Sequence, residues 1–226
     1  MGGVSAVIPA YNEERCIGLT VRAVRQVPRV KEVVVVNDGS VDATAEVAAA
    51  SGAKVITLAR NLGKGAALAA GVDATGEDLL LFLDADLEET SIEAVKLVEP
   101  VIAGEADMAI ALFPAREHAG GLGLARGLAG WGIRKAAGLN LEAPLSGQRA
   151  LRREVIRAVG RLARGFGVEV GLTIDAARLG FRVVEVPTSM RHHPTGRDLA
   201  GFLHRGKQFL AVVNALAPRL FWGGRS

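Results

Sequence analysis

Asp84 and Asp86 stand one residue apart at the end of the apolar run Leu79-Leu80-Leu81-Phe82-Leu83. Two carboxylates so close can share a hard divalent cation through oxygen atoms, and such a cation binds phosphate oxygens in turn. The apolar run reads as a buried parallel strand. Its carboxyl end is where open α/β sheets bind ligands, so the chemistry suggested is a metal-held diphosphate. The competing reading makes Asp86 a cap for a turn toward Glu88 and Glu89.

Three earlier segments stand in the same position relative to a strand. Pro9-Ala10-Tyr11-Asn12-Glu13-Glu14 follows a strand expected over Val4 to Ile8, and a helix is expected to begin near Glu13. Asn37-Asp38-Gly39-Ser40 follows Val33 to Val36, and Asn61-Leu62-Gly63-Lys64-Gly65 follows Ala53 to Leu58 and opens a helix through about Ala74. Parallel strands would line all four segments along one edge, as a single cleft. Lys64 carries a flexible ammonium at a glycine-flanked helix start, which suits a phosphate or a base carbonyl. As a mere helix N-terminal residue it would be mildly unfavourable, because the helix dipole disfavours a cation there.

The remaining pattern predicts a helix from Ser91 to Ala103, a strand from Met108 to Leu112, and a glycine-bearing loop from Pro114 to Gly123 of the kind that forms lids. Helices are expected at Leu124 to Ala137, Arg152 to Val159, Val168 to Leu179 and Arg197 to Leu216, with a strand at Phe181 to Val186. With 226 residues and neither repeat nor low-complexity linker, the chain is expected to be a single domain.

Charge divides the chain. Residues 1–113 hold 9 basic and 17 acidic side chains, whereas residues 114–226 hold 18 and 7, so an acidic, metal-facing half adjoins a basic half suited to an anion. The basic half has few aromatics for base stacking, so no nucleic-acid partner is expected. The single cysteine, Cys16, excludes an internal disulfide and points to a reducing, cytoplasmic location, with Cys16 itself read as a small buried hydrophobe. Neither a leader nor a membrane span is expected. The segment Leu199 to Trp222 mixes large apolar residues with Arg205, Lys207 and Arg219, and is compatible with burial, a homodimer contact or peripheral contact with an inner membrane surface.

From Val4 through about Asp86 the four segments resemble the GT-A nucleotide-sugar glycosyltransferases of family 2 type. The resemblance implies an α/β, Rossmann-like GT-A fold, with a mostly parallel central sheet and helices on both faces. It divides residues 1–226 into a nucleotide-sugar-binding half, 1–113, and an acceptor-binding half, 114–226. It further implies that Pro9, Ala10, Tyr11, Glu13 and Asp38 flank the base and ribose, with Asp38 accepting hydrogen bonds there, that Lys64 sits by the nucleotide, and that Asp84, Ala85 and Asp86 present Mg²⁺ or Mn²⁺ to the diphosphate.

The second half, through Pro144-Leu145-Ser146-Gly147-Gln148-Arg149-Ala150, Gly165-Phe166-Gly167-Val168-Glu169-Val170-Gly171-Leu172 with Asp175, and Arg191-His192-His193, resembles the retaining glucosyl-3-phosphoglycerate synthases. Polyprenyl-phosphate sugar transferases resemble it more distantly. The closer resemblance implies that His193 joins Asp86 on the metal, that Arg191 reaches the donor diphosphate, and that Glu169 lies at the sugar or acceptor. His192 and His193 are adjacent, so only one of them can point inward.

The expected reaction is metal-dependent transfer of a sugar, glucose from UDP-glucose by resemblance, to an acceptor that is not identified and is suited to carrying phosphate. Charge developing on the leaving diphosphate would be met by the cation and basic groups. An inverting enzyme would need a carboxylate base opposite the leaving group, for which Glu169 is the best candidate, whereas an anionic acceptor needs none. The resemblance favours retention by front-side attack. A sugar nucleotidyltransferase would carry a glycine- and arginine-rich triphosphate loop after the first strand, where this chain holds the acidic Pro9 to Glu14 segment. A catalytically silent nucleotide-binding protein would have no need of Lys64, Asp84 and Asp86 together.

Overall fold

The computed structural model describes residues 2–114, 123–163, 165–193 and 199–221, with the side chains of Phe166, of 199–208 and of Phe221 left aside. The strands are β1 (Val4–Ala10), β2 (Val30–Asn37), β3 (Lys54–Thr57), β4 (Leu79–Phe82), β5 (Met108–Leu112), β6 (Arg149–Arg152) and β7 (Val183–Pro187). The helices are α1 (Ile17–Val24), α2 (Thr44–Ala50), α3 (Lys64–Asp73), α4 (Val95–Ile102), α5 (Gly123–Ala137), α6 (Arg153–Val159), α7 (Val168–Arg178) and α8 (Leu199–Phe221), with 3-10 helices at Glu88–Ala94 and Gly165–Gly167.

Among the described residues, seven strands form one sheet in the order β3-β2-β1-β4-β6-β5-β7. Pairing is parallel except around β6, which runs antiparallel to both β4 and β5. The mostly parallel α/β fold expected from the sequence is therefore present. The order reverses between β1, which leads to β2 on one side, and β4, which lies on the other. A crevice outside the carboxyl ends of β1 and β4 follows from that reversal, and it is the place where such sheets bind ligands.

Alternation along the strands feeds two layers. Val4, Ala6 and Ile8 of β1 pack with Ile17, Val21 and Val24 of α1 and with Leu97 and Val101 of α4. Val7 points the other way, into a layer with Leu68 and Val72 of α3, Val155 of α6 and Leu172 of α7. Gly71 lets α3 approach closely, since a Cβ there would come 2.2 Å from Val7 Cγ1. Leu80, Leu81 and Phe82 of β4 are almost wholly buried, each contributing roughly 1.5–3 kcal/mol relative to an exposed position. A third cluster, Ile133 of α5, Ile174 of α7 and Val212 and Leu216 of α8, covers the outer side of α7.

Several expectations need correction. Strand β6 was not legible, and it places residues of the second half between β4 and β5. The helix expected near Glu13 begins at Ile17, and the helix expected from Ser91 is a 3-10 turn continuing into α4. The lid-like loop expected over Pro114 to Gly123 falls largely outside the described residues, as do Pro194 to Asp198 and Trp222. Among the described residues no helix is long and apolar enough to cross a membrane.

Candidate active site

The two-residue alternation of β4 continues past its end. Leu83, Ala85 and Leu87 are buried, whereas Asp84 and Asp86 between them are partly exposed, so both carboxylates face the same side of the chain. The buried Thr20 of α1 holds this segment: its hydroxyl donates to the Ala85 carbonyl at 2.8 Å and accepts from the Glu88 N–H at 2.8 Å. Asp86 is thus not simply a turn cap.

These acids open onto a cleft of about 810 Å³ at the β1–β4 crevice. Pro9, Ala10, Tyr11 and Glu13 line it after β1, Asp38 after β2, Gly63 and Lys64 at the start of α3, and Asp84, Ala85 and Asp86 after β4. The nucleotide-sugar-binding residues expected from sequence are thereby gathered in one place. Glu169 at the start of α7 also lines it, as do Leu145, Gly165 and His192.

Lys64 is the hub. Its ammonium lies 2.6 Å from Asp84 Oδ1 and 2.9 Å from Glu169 Oε1, with all three side chains largely buried. Burial alone would lower the Lys64 pKa, but the two carboxylates outweigh it and hold the ammonium above its ordinary value. Asp84 is held below its ordinary value: burial would raise it, but the charges of Lys64 and then His192, with the hydrogen bonds from Lys64 and Gln148, outweigh that cost. The Lys64–Asp84 pair is therefore held in its ionic form.

Asp38 is buried, and its two oxygens accept the N–H groups of Leu62 at 2.7 Å and Gly63 at 2.8 Å. The carboxylate expected to meet base or ribose thus also orders the turn that delivers Lys64, with its remaining lone pairs left for the cleft. Asn12 ties the first two segments, accepting from Val41 N–H at 3.0 Å while its own N–H donates to Ser40 Oγ at 3.0 Å. Glu13 is pushed up to about 7, by burial foremost and then by the charges of Asp86, Asp84 and Asp42.

The histidine register differs from the expectation. His192 Nδ1 lies 2.9 Å from Asp86 Oδ1, whereas His193 Nδ1 lies 3.3 Å from Glu88 Oε1. His193 meets Asp86 only through its backbone, its N–H donating to the Asp86 carbonyl at 2.8 Å. The His192 ring stacks on Phe113, centroids 5.0 Å apart, and that contact with the Asp86 hydrogen bond orients it over the acids. Burial would lower the His192 pKa, but the Asp86 hydrogen bond and the charges of Asp84 and Asp86 raise it.

Arg191 is not brought into the cleft: its side chain is exposed, and its backbone is pinned to the Thr90 hydroxyl at 3.1 Å.

Sequence reasoning assigned no role to Gln148, Arg149 or Glu185. Gln148 Nε2 donates to Asp84 Oδ2 at 2.6 Å, completing the bracket that Lys64 begins on Oδ1. Next to it, Gly147 approaches so closely that a Cβ would lie 2.3 Å from Lys64 Nζ and 3.1 Å from Asp84 Oδ1. Arg149, 1% exposed, donates through Nε to the Ser146 carbonyl at 2.9 Å and through Nη1 to Thr173 Oγ1 at 2.8 Å, tying this turn to α7. Glu185 accepts the N–H groups of Glu142 and Ala143 at 2.8 and 2.6 Å and anchors the other end of the loop. The only sequence signal for Gln148 and Arg149 was the compact Ser146-Gly147-Gln148-Arg149 string, whose partners are distant in the chain, and Glu185 read as a surface position of a strand.

Asp84, Asp86 and His192 offer two carboxylates and an imidazole whose ligand atoms all lie within 4.8 Å of one another. That donor set fits Mg²⁺ or Mn²⁺, which favour oxygen ligands and, for Mn²⁺, accept an imidazole.

The sequence matches the model of glycosyl transferase family 2 over residues 5–159. A glucosyl-3-phosphoglycerate synthase from Mycolicibacterium paratuberculosis is 31% identical over 236 residues, spanning 93% of this chain and 71% of the relative. An undecaprenyl-phosphate mannosyltransferase from Micrococcus luteus is 33% identical over 214 residues, spanning 86% of each. Among solved structures, glucosyl-3-phosphoglycerate synthase from Mycobacterium tuberculosis in complex with Mn²⁺, uridine diphosphate and phosphoglyceric acid aligns with a TM-score of 0.81 at 30% identity, covering 97% of this chain and 79% of that one. The same enzyme with Mn²⁺, UDP-glucose and phosphoglyceric acid aligns at 0.80 and 30% identity, covering 97% and 80%. The GT-A arrangement expected from the four strand-end segments is thus shared with those glycosyltransferases, and with an acid pair, a lysine hub and an imidazole converging on one cleft, this chain belongs to glycosyl transferase family 2.

Proposed function

We propose that this chain transfers glucose from UDP-glucose to a phosphate-bearing acceptor of the phosphoglycerate class, with Mg²⁺ or Mn²⁺ held by Asp84, Asp86 and His192. The observation that carries the reading is the Lys64 bridge between Asp84 and Glu169, because it joins the metal-facing carboxylate to the carboxylate expected at the sugar. The donor and acceptor follow the relatives, whose complexes contain Mn²⁺, UDP-glucose and phosphoglyceric acid.

When bound, the cation supplies positive charge to the departing diphosphate. The chain's own groups do the rest. Tyr11, half exposed at the cleft mouth, offers a flat surface to the base. Lys64 has three N–H donors and spends two on Asp84 and Glu169, leaving the third for a donor oxygen. Glu169, held in an ion pair, orients sugar hydroxyls as an acceptor of hydrogen bonds and is not a free base. Without a free base, a hydroxyl of the phosphate-bearing acceptor attacks the sugar's anomeric carbon on the donor's own face as the bond from that carbon to the diphosphate oxygen breaks, and the departing diphosphate oxygen takes the hydroxyl proton, which gives retention. The net basic charge of residues 114–226 favours such an acceptor. Residues 1–226 act as one domain in this reading, since β6 carries Gln148 from the second half onto Asp84. A cytoplasmic location accords with the unpaired Cys16.

A polyprenyl phosphate is the second reading for the acceptor. It is favoured by the apolar Leu210 and Val213 exposed on α8, which suit peripheral contact with a lipid surface, and by the match to the Micrococcus luteus enzyme. Incubation with UDP-glucose and Mn²⁺ beside either 3-phosphoglycerate or a polyprenyl phosphate in vesicles decides between them. The proposal expects a phosphoglycerate product with the α-anomeric proton signature of the donor. Product only from the lipid, or an inverted anomer, would overturn it.

A further inference from the structure

Beside the cleft lies a second group of ligand-bearing side chains, Cys16, Glu88 and His193, none of which lines the cleft itself. The geometry points to a second cation site here, for a borderline-soft divalent ion of the Zn²⁺ class, separate from Asp84, Asp86 and His192.

The three residues come from distant parts of the chain: Cys16 precedes α1, Glu88 begins the 3-10 helix, and His193 follows β7. One sulfur, one carboxylate oxygen and one imidazole nitrogen nevertheless all lie within 4.8 Å of one another. Glu88 is the centre, its Oε1 3.3 Å from His193 Nδ1 and a carboxylate oxygen within 4.8 Å of the Cys16 sulfur. Ligand atoms around a tetrahedral Zn²⁺ are separated by roughly 3.3–3.7 Å, as Zn–S and Zn–N lengths require. The Glu88–His193 spacing already meets that range, and no other separation exceeds it by more than about an ångström, within the reach of a rotamer adjustment of the exposed His193.

Glu88 is held for this position at a cost. Its φ of 49° lies in the left-handed region, unfavourable for a residue with a side chain by roughly 1–2 kcal/mol. Thr20 Oγ1 accepts its N–H at 2.8 Å, and Ser91 Oγ donates to its carbonyl at 2.7 Å, so the backbone is fixed while the carboxylate turns toward Cys16 and His193.

The donor set discriminates among ions. A thiolate, an imidazole and a carboxylate suit Zn²⁺, Co²⁺ or Cu²⁺ and are poorly matched to Mg²⁺, whereas the neighbouring site with two carboxylates and one imidazole suits Mg²⁺ or Mn²⁺. Three protein ligands leave a fourth position for water, and the exposed His193 leaves an entry path. Binding exchanges the Cys16 thiol proton, released to solvent, for the metal–sulfur bond. Since His193 N–H also holds the Asp86 carbonyl, and His192 is the preceding residue, occupancy would fasten the segment that presents His192 to Asp86.

Cobalt(II) added to the metal-free full chain tests this without reference to glycosyl transfer. Cys16 is the only cysteine, so a near-ultraviolet thiolate-to-cobalt charge-transfer band reports on this site alone. The expected result is one equivalent of Co²⁺ producing that band in the wild type and in Asp84→Asn, with Zn²⁺ erasing it and excess Mg²⁺ leaving it intact. Cys16→Ser should abolish the band, and His193→Gln or Glu88→Gln, which alter partly or well exposed side chains and leave the core untouched, should weaken Co²⁺ affinity at least tenfold. No band in the wild type, a band indifferent to both His193→Gln and Glu88→Gln, its loss in Asp84→Asn, or its erasure by Mg²⁺ would each overturn the proposal.

Discussion

Lys64 and Asp84 lie 20 residues apart in sequence and meet through a 2.6 Å ion pair at the carboxyl edge of the sheet. The pair joins the start of α3 to the segment after β4, and Glu169 extends it to α7. Its location at the point where strand order reverses makes it the polar centre of the cleft.

Replacing Lys64 by Met should strand two carboxylates in a largely buried setting. Breaking a buried pair in this way costs about 3 kcal/mol or somewhat more, because the remaining charges lose their partner. Urea unfolding at neutral pH should show that loss, and transfer to acceptor should fall by at least 100-fold in the fraction that stays folded. A variant with unchanged midpoint and unchanged rate would remove Lys64 from its central place.

Gly147→Ala tests the crowding behind the same pair. The new Cβ would fall 2.3 Å from Lys64 Nζ, so the ammonium must move away from Asp84. Since the displaced group is the tip of a flexible side chain, stability should fall by only about 1–2 kcal/mol, at the lower end of overpacking costs. Donor affinity measured by calorimetry with UDP-glucose and Mn²⁺ should fall by tenfold or more. Full affinity in this variant would show that the Lys64–Asp84 contact is dispensable.

Glu185→Ala removes the anchor of the loop that ends in Gln148. Two backbone N–H groups, of Glu142 and Ala143, would lose their acceptor, for a cost of about 1–3 kcal/mol. Turnover should decline because Gln148 is no longer held to Asp84, whereas Glu185→Gln, which keeps one acceptor, should lie between wild type and Ala. Steady-state rates alongside thermal melts separate the two effects.

Acid sensitivity should arise at Asp107 as well as in the cleft. Burial works to raise its pKa, but the Arg182 N–H at 2.8 Å, the Arg182 guanidinium and Arg152 hold it below the ordinary carboxylate value. A carboxylate depressed on folding stabilises the protein above its unfolded pKa, near 3.9, and that contribution disappears as pH falls through the folded value. Asp107→Asn should therefore destabilise the chain by about 1 kcal/mol at pH 7 and by progressively less below pH 4, as read from urea midpoints. A constant difference across that range would contradict the assignment.

Much of this site was legible in the sequence because strand-end segments of a parallel sheet converge wherever the strands do. Pro9 to Glu13, Asp38, Lys64, Asp84 and Asp86 each follow an apolar run or open a helix, and hydrophobic period alone brings them to one edge. Strand β6 escaped detection since its four residues include Arg149 and Arg152, and a buried arginine looks polar to any hydrophobic pattern. Gln148 and Glu185 act on partners 64 and about 42 residues away, a relation that only the antiparallel placement of β6 and the 142–146 loop creates. The choice between His192 and His193 rests on backbone bonds, from Arg191 N–H to Thr90 Oγ1 and from His193 N–H to the Asp86 carbonyl, in a stretch without periodicity. The resemblance put His193 on Asp86 with the register left open; in the structure the His192 ring stands there, and His193 meets Asp86 through its N–H.

The central claim is that Asp84, Asp86 and His192 hold a divalent cation against the donor diphosphate. Calorimetric titration of UDP-glucose into wild type, Asp86→Ala and His192→Ala, each with and without Mn²⁺, addresses it most directly. The expected result is Mn²⁺-dependent binding in the wild type, its metal dependence abolished in Asp86→Ala and reduced at least tenfold in His192→Ala, with His193→Ala close to wild type. Metal-dependent binding that survives Asp86→Ala, or that requires His193 in place of His192, would contradict the account.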